Sequence, residues 1–90
     1  MIVIYKAAYD EDWAKYFNNL DNIVKERIAK KIQKILDFPR KRHLSQKAKF
    51  FVDEVGQFRI LYRVFDEINE VRFYFVGSHK EYEKWYKSFK

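Results

Sequence analysis

Arg59, His79 and Tyr82 are residues whose types could do chemistry on a phosphate ester. Histidine ordinarily titrates near ~6.5, close to working pH, and so serves either half of acid–base catalysis. His79 sits in Ser78-His79-Lys80-Glu81, which has the S-x-x-E form of a capping box. That places it in the first turn of a helix, where free backbone N–H groups could help hold a phosphate. Tyr82 lies three residues on and therefore shares its helix face. Its hydroxyl could orient a phosphate or donate a proton, and its ring could stack on a base. Arg59 keeps its charge and can bind two phosphate oxygens at once, which lysine cannot do. Plainer readings stand beside these. His79 could be a polar residue at a strand-to-helix junction, Arg59 half of an ion pair with Asp53 or Glu54, and Tyr82 one member of an aromatic stripe.

The charge distribution points to a polyanionic partner. The net charge is +6, but residues 21–50 alone carry ten Lys/Arg against three acids. The flanking segments are close to neutral, and such asymmetry is expected of a nucleic-acid binder. Lys25, Lys30, Lys31 and Lys34 fall on a helix and read as a solvated face. Arg40-Lys41-Arg42, and further on Lys47 and Lys49, are binding rather than catalytic candidates, as is Arg63 on the strand that carries Arg59. No cysteine is present, which excludes disulfides and thiolate metal sites. Two histidines are too few for a convincing zinc site, so no metal or other cofactor is expected. The apolar start Met1-Ile2-Val3-Ile4-Tyr5 is too short to span a bilayer and lacks a signal-peptide cleavage site. The expectation is a cytoplasmic protein with no membrane partner.

Ninety residues without repeats or a Pro/Gly/Ser linker make one domain, residues 1–90. Met1 to Lys6 reads as a strand that joins the sheet at or beside its middle. Asp10 is placed to cap a helix on which Trp13, Tyr16, Phe17 and Leu20 form one apolar stripe. A second helix begins near Asp21, has its stripe in Val24, Ile28, Ile32, Ile35 and Leu36, and stops at Pro39. Three strands follow, Phe50 to Val55, Gln57 to Phe65 and Glu70 to Val76, with Gly56 marking a turn or bulge. Alternation in the middle one puts Phe58, Ile60, Tyr62 and Val64 on a face suited to packing on the helical hairpin. Arg59, Leu61 and Arg63 then occupy a second face that is open and basic. A last helix follows Ser78, with Tyr82, Trp85, Tyr86 and Phe89 along its apolar side.

This order, β-α-α-β-β-β-α, resembles the RelE/ParE toxin superfamily. Two segments carry the likeness. Gly56-Gln57-Phe58-Arg59-Ile60-Leu61-Tyr62 is similar to the family's G-x-[YF]-R-[IV]-x-Y strand. Val76-Gly77-Ser78-His79-Lys80-Glu81-Tyr82 is similar to the G-[ST]-H-x-x-Y ending of its HigB-like and YafQ-like ribonuclease branches. The resemblance implies an α+β fold with a mainly antiparallel four-stranded sheet and a helical hairpin on one face. It implies the toxin of a type II toxin–antitoxin system, a metal-independent endoribonuclease that cuts mRNA, in many relatives only on the ribosome. Its partners would be mRNA, the ribosome and a cognate antitoxin, RelB-like or other. Arg59 would then stabilise the phosphate, His79 move protons, and Tyr82 assist. Lys47 and Lys49 are similar to the Lys-x-Lys that several RelE proteins carry entering the equivalent strand, although an ungapped match puts Phe50 and Val52 there. RelE itself has an arginine where this chain has His79 and a further tyrosine beyond, for which Trp85 or Tyr86 would stand in. Two other functions fit the same fold: a ParE-like, non-catalytic inhibitor of DNA gyrase, and an RNA-binding domain that no longer cuts.

Overall fold

A computed structural model describes residues 4–37 and 50–89. Strand β1 (Lys6–Tyr9) leads into helices α1 (Trp13–Asn18) and α2 (Asn22–Asp37). Strands β2 (Phe51–Val55), β3 (Phe58–Phe65) and β4 (Glu70–Ser78) follow, and helix α3 (His79–Phe89) ends the chain's described part. The four strands form one sheet in the order β1-β4-β3-β2. β2, β3 and β4 are antiparallel neighbours, and β1 runs parallel to β4. The fold is thus α+β with a mainly antiparallel sheet, as expected.

α2 forms because its isoleucines recur at helical spacing. Ile28, Ile32 and Ile35 are buried on one side, while Lys30 and Lys34 are exposed and Lys31 is half-buried. Asp21 starts the helix by accepting a hydrogen bond from the Val24 N–H at 2.9 Å. Trp13 of α1 joins the isoleucines against Ile60, Tyr62, Val71, Phe73 and Val76 of the sheet. Burying each of these side chains stabilises the fold by roughly 1.5–3 kcal/mol. The stripe Trp13, Tyr16, Phe17 and Leu20 packs on this core as its spacing foretells. Tyr62 has no exposed surface, and its hydroxyl donates to Asp53 at 3.5 Å, with Lys31 of α2 3.9 Å from the same carboxylate. Helix and sheet are therefore also joined through a polar group.

Three expectations need correction. The first strand covers Lys6–Tyr9, later than the apolar run suggested; residues 1–3 lie outside the described part. Its bounds are set by pairing with β4, from Lys6 N–H to Asn69 C=O at 2.8 Å through Asp10 N–H to Phe73 C=O at 2.9 Å. It is an edge strand beside central β4, which lets three of its four residues be exposed. Asp10 does not cap α1. The N-cap is Asp12, without a side-chain cap bond, and Asp10 instead shapes the preceding turn by accepting from Asp12 N–H and Trp13 N–H.

The third correction concerns the second face of the sheet, which is only partly open. The register of β3 and β4 shifts between Leu61 and Tyr62, which pair with Phe75 and Phe73 and leave Tyr74 as a bulge. α3 folds back over this region. Trp85 packs on Phe75 and on Phe50, with ring centroids 5.7 and 5.6 Å apart, and Leu61 and Phe75 are buried. An aromatic stripe on α3 was foreseen; the sheet surface it covers was not. The Phe89 side chain lies outside the described part.

Candidate phosphate site at the strand-to-helix junction

Two turns bring the candidate residues to one corner. β2 and β3 are joined by Gly56 and Gln57, with Val55 paired to Phe58. Gly56 has φ +58, which a two-residue hairpin with glycine at its first central position requires. This hairpin sets Glu54 directly across from Arg59 and, on the other side, Arg59 across from Gly77. The second turn is the capping box. Glu81 accepts from Ser78 N–H at 2.9 Å, and Ser78 Oγ accepts from Glu81 N–H at 3.3 Å. His79 N–H donates to Gln57 C=O at 3.1 Å, which ties the first residue of α3 to the β2–β3 hairpin. Gly77 permits this sharp fold. A Cβ there would stand 2.8 Å from Phe75 Cζ and 3.3 Å from Glu81 Cβ.

Arg59, His79 and Tyr82 are brought together in this way. The His79 and Tyr82 rings lie 6.4 Å apart, and Tyr82 stands 6.0 Å from Tyr86. Burial, first of all, pushes the Tyr82 hydroxyl above its ordinary pKa; Tyr86 and Glu83 add to this, and the Arg59 guanidinium opposes it. A phenol held protonated can donate a hydrogen bond and can still give its proton to a strongly basic alkoxide oxygen, although the raised pKa makes it a weaker acid than an ordinary tyrosine. The Arg59 guanidinium is already engaged, 2.9 Å from Glu54 and donating to Phe58 C=O at 3.2 Å. Glu54 is largely exposed but Arg59 is mostly buried, so the pair is open to solvent only on the carboxylate side. A phosphate reaching Arg59 would have to displace Glu54 or share the guanidinium with it. The ion pair weighed for Arg59 therefore exists with Glu54, while Asp53 serves Tyr62 and Lys31.

Other candidates stand apart from this corner. Arg63 is four residues further along β3, opposite Arg72, and lies over the Phe50 and Phe65 rings at 5.7 and 5.0 Å. It borders a shallow cavity of about 360 Å³ with Phe50, Tyr74 and Trp85. Arg40, Lys41, Arg42, Lys47 and Lys49 lie outside the described residues. One neighbour was missed by sequence reasoning. Glu83 Oε1 lies 2.7 Å from His79 Nε2, one helical turn on, and the i, i+4 spacing was the available signal. Among the described residues no three His, Asp or Glu side chains gather as metal ligands.

A family model described as the ParE toxin of the type II toxin–antitoxin system parDE matches residues 3–82. The chain belongs to this toxin family. Solved structures place this ParE-family toxin in the wider RelE/ParE superfamily. It is similar to a chain of the intact E. coli RelBE toxin–antitoxin complex, at 27% identity over 82% of this chain and 95% of that one, with a TM-score of 0.73. It is also similar to the isolated E. coli RelE toxin, at 25% identity over 96% and 99% of the two chains, with a TM-score of 0.74. A chain of the RelBE2 toxin–antitoxin complex of Mycobacterium tuberculosis shares the fold at 20% identity, a TM-score of 0.74, and coverage of 86% and 100%. No curated protein matches the sequence. Among the toxin's described residues, no helix is long and apolar enough to cross a membrane.

Proposed function

We propose that this toxin is a cytoplasmic, metal-independent endoribonuclease that cuts mRNA, on the ribosome, and so stops translation. The observation that carries the reading is the meeting of Arg59 with the His79–Tyr82 pair where β3, β4 and α3 converge. RNA brings its own nucleophile, the 2′-hydroxyl. His79 takes the hydroxyl proton as the oxygen attacks the adjacent phosphorus, and Arg59 neutralises the charge that builds on the phosphate. The bond from phosphorus to the 5′-oxygen breaks, and the protonated Tyr82 hydroxyl supplies that oxygen with its proton. The products are a 2′,3′-cyclic phosphate and a free 5′-hydroxyl. The cluster of Arg40, Lys41 and Arg42, with Lys47, Lys49 and Arg63, holds the RNA backbone. A cognate antitoxin restrains the toxin; similarity to chains of toxin–antitoxin complexes supports this partner.

The test is in vitro translation with mapping of mRNA ends. Arg59→Ala should reduce cleavage ~100- to 1,000-fold, and His79→Gln, which keeps size but cannot exchange a proton near neutral pH, ~100- to 10,000-fold. A folded His79→Gln protein that cuts at the parental rate would remove His79 from the mechanism. A second reading, inhibition of DNA gyrase without catalysis, is favoured by the ParE family model. A supercoiling assay separates the two, since only that reading has purified toxin stop gyrase while leaving mRNA whole.

A further inference from the structure

The pairing of Glu83 with His79 has no evident structural purpose. Both side chains are about half exposed, at 51% and 55%, and a pair so open to solvent contributes little to folding stability. α3 does not need it, because the capping box of Ser78 and Glu81 already fixes the first turn. A carboxylate is also unfavourable beside a site for RNA, since it repels the phosphates that Arg59 attracts. What Glu83 does have is geometry: its Oε1 lies 2.7 Å from one particular imidazole nitrogen, Nε2.

We propose that Glu83 is the positioning residue for His79 in RNA cleavage, an inference that rests on the nuclease reading above. An ionised carboxylate only accepts hydrogen bonds, so the contact requires the proton to sit on Nε2. The neutral ring then presents Nδ1 as its unprotonated, basic nitrogen. Glu83 holds the imidazole on one side and the Tyr82 ring bounds it on another, 6.4 Å between centroids. Nδ1 takes the proton of the 2′-hydroxyl while the bond from the 2′-oxygen to phosphorus forms and that to the 5′-oxygen breaks. The ring becomes an imidazolium, and the adjacent carboxylate stabilises the charge as it appears. The arrangement follows the general logic in which a carboxylate orients a histidine that acts as base.

Electrostatics and positioning predict opposite signs for Glu83→Ala, which makes the experiment decisive. Removing a negative charge beside an RNA site should tighten binding, and cleavage would rise if charge were all that mattered. Positioning requires single-turnover cleavage at saturating toxin to fall at least ~10- to 100-fold, the loss typical when the partner that orients a metal-bound histidine is removed, with up to about 10⁴-fold for the carboxylate partner of a histidine base. RNA affinity should be unchanged or tighter and the melting curve unaltered. The substrate is a short synthetic mRNA, tested free and on programmed bacterial ribosomes. Glu83→Gln, whose amide oxygen still accepts from Nε2–H, should recover most of the rate. In a His79→Ala background, Glu83→Ala should cost nothing further, because it acts only through the imidazole. Parental or faster cleavage by Glu83→Ala overturns the proposal, as does an equal loss in the His79→Ala background. Imidazole 15N shifts of the wild-type toxin locate the proton independently of any cleavage assay, and a proton found on Nδ1 also overturns the proposal. If the wild-type toxin leaves both forms of the mRNA intact while Nε2 carries the proton, the nuclease reading itself has failed, and the role of Glu83 falls with it.

Discussion

Replacing Gly77 with alanine should loosen the corner that carries His79. The added Cβ would stand 2.8 Å from Phe75 Cζ, 3.1 Å from Glu81 Oε1 and 3.3 Å from Glu81 Cβ. Carbon atoms rest at ~3.5–4.0 Å, so the first contact is well inside the repulsive wall. A ring tip could swing aside on a free surface, but Phe75 is buried, with the Tyr16 ring at 4.7 Å and the Trp85 ring at 5.7 Å. Glu81 cannot retreat without giving up its hydrogen bond to Ser78 N–H. Overpacking of this kind costs ~1–3 kcal/mol, against a gain of about 0.4–1 kcal/mol from the stiffer unfolded chain. The net loss is on the order of 1–2 kcal/mol, which lowers the melting temperature of a domain this size by roughly 4–8 °C per kcal/mol. Because the strain falls between β4 and α3, the Trp85 environment should change as well. Thermal melting, with near-ultraviolet circular dichroism of the folded protein, reads both effects. An unchanged or higher melting temperature with an unaltered tryptophan signal would show that Gly77 is not needed for this approach.

Three further outcomes are expected. Ser78→Ala removes the hydroxyl half of the capping box and should cost ~0.5–2 kcal/mol, with α3 losing amide protection first; equal exchange in α3 would refute it. Burial, reinforced by the Asp53 carboxylate, raises the Tyr62 hydroxyl above its ordinary pKa, so folding favours its protonated form. That contribution is complete below about pH 10 and is lost as pH rises through the folded value; Tyr62→Phe should flatten the alkaline fall in stability measured by urea titration, and identical slopes would refute the assignment. Replacing Arg40, Lys41 and Arg42 together with glutamine should reduce the dependence of RNA affinity on salt by about one or two units of log–log slope. An unchanged slope would return the cluster to the role of solvated charge.

The parts of this toxin legible in its sequence are those fixed by neighbours a few residues apart. The isoleucine period of α2, the alternation of β3 and the reciprocal bonds of Ser78 and Glu81 each arise within about two turns or one strand of chain. Arg59 and His79 stand out in the sequence because they fall in two short motifs that resemble those of the toxin superfamily, not because their spacing alone marks a site. Tertiary structure decided what depends on residues far apart. β1 took its bounds and its edge position from backbone bonds to β4, more than sixty residues away, and not from its own apolar run. The partner of Arg59 is Glu54 because a two-residue hairpin sets those positions opposite each other, a choice between two adjacent acids that composition leaves open. The second face of the sheet is partly closed because α3 reverses at Gly77 and lays Trp85 on Phe75. Local hydrogen bonds and side-chain periods are written into short stretches of sequence. Register, facing and coverage arise only when distant segments compete for the same surface, and that competition is settled by packing.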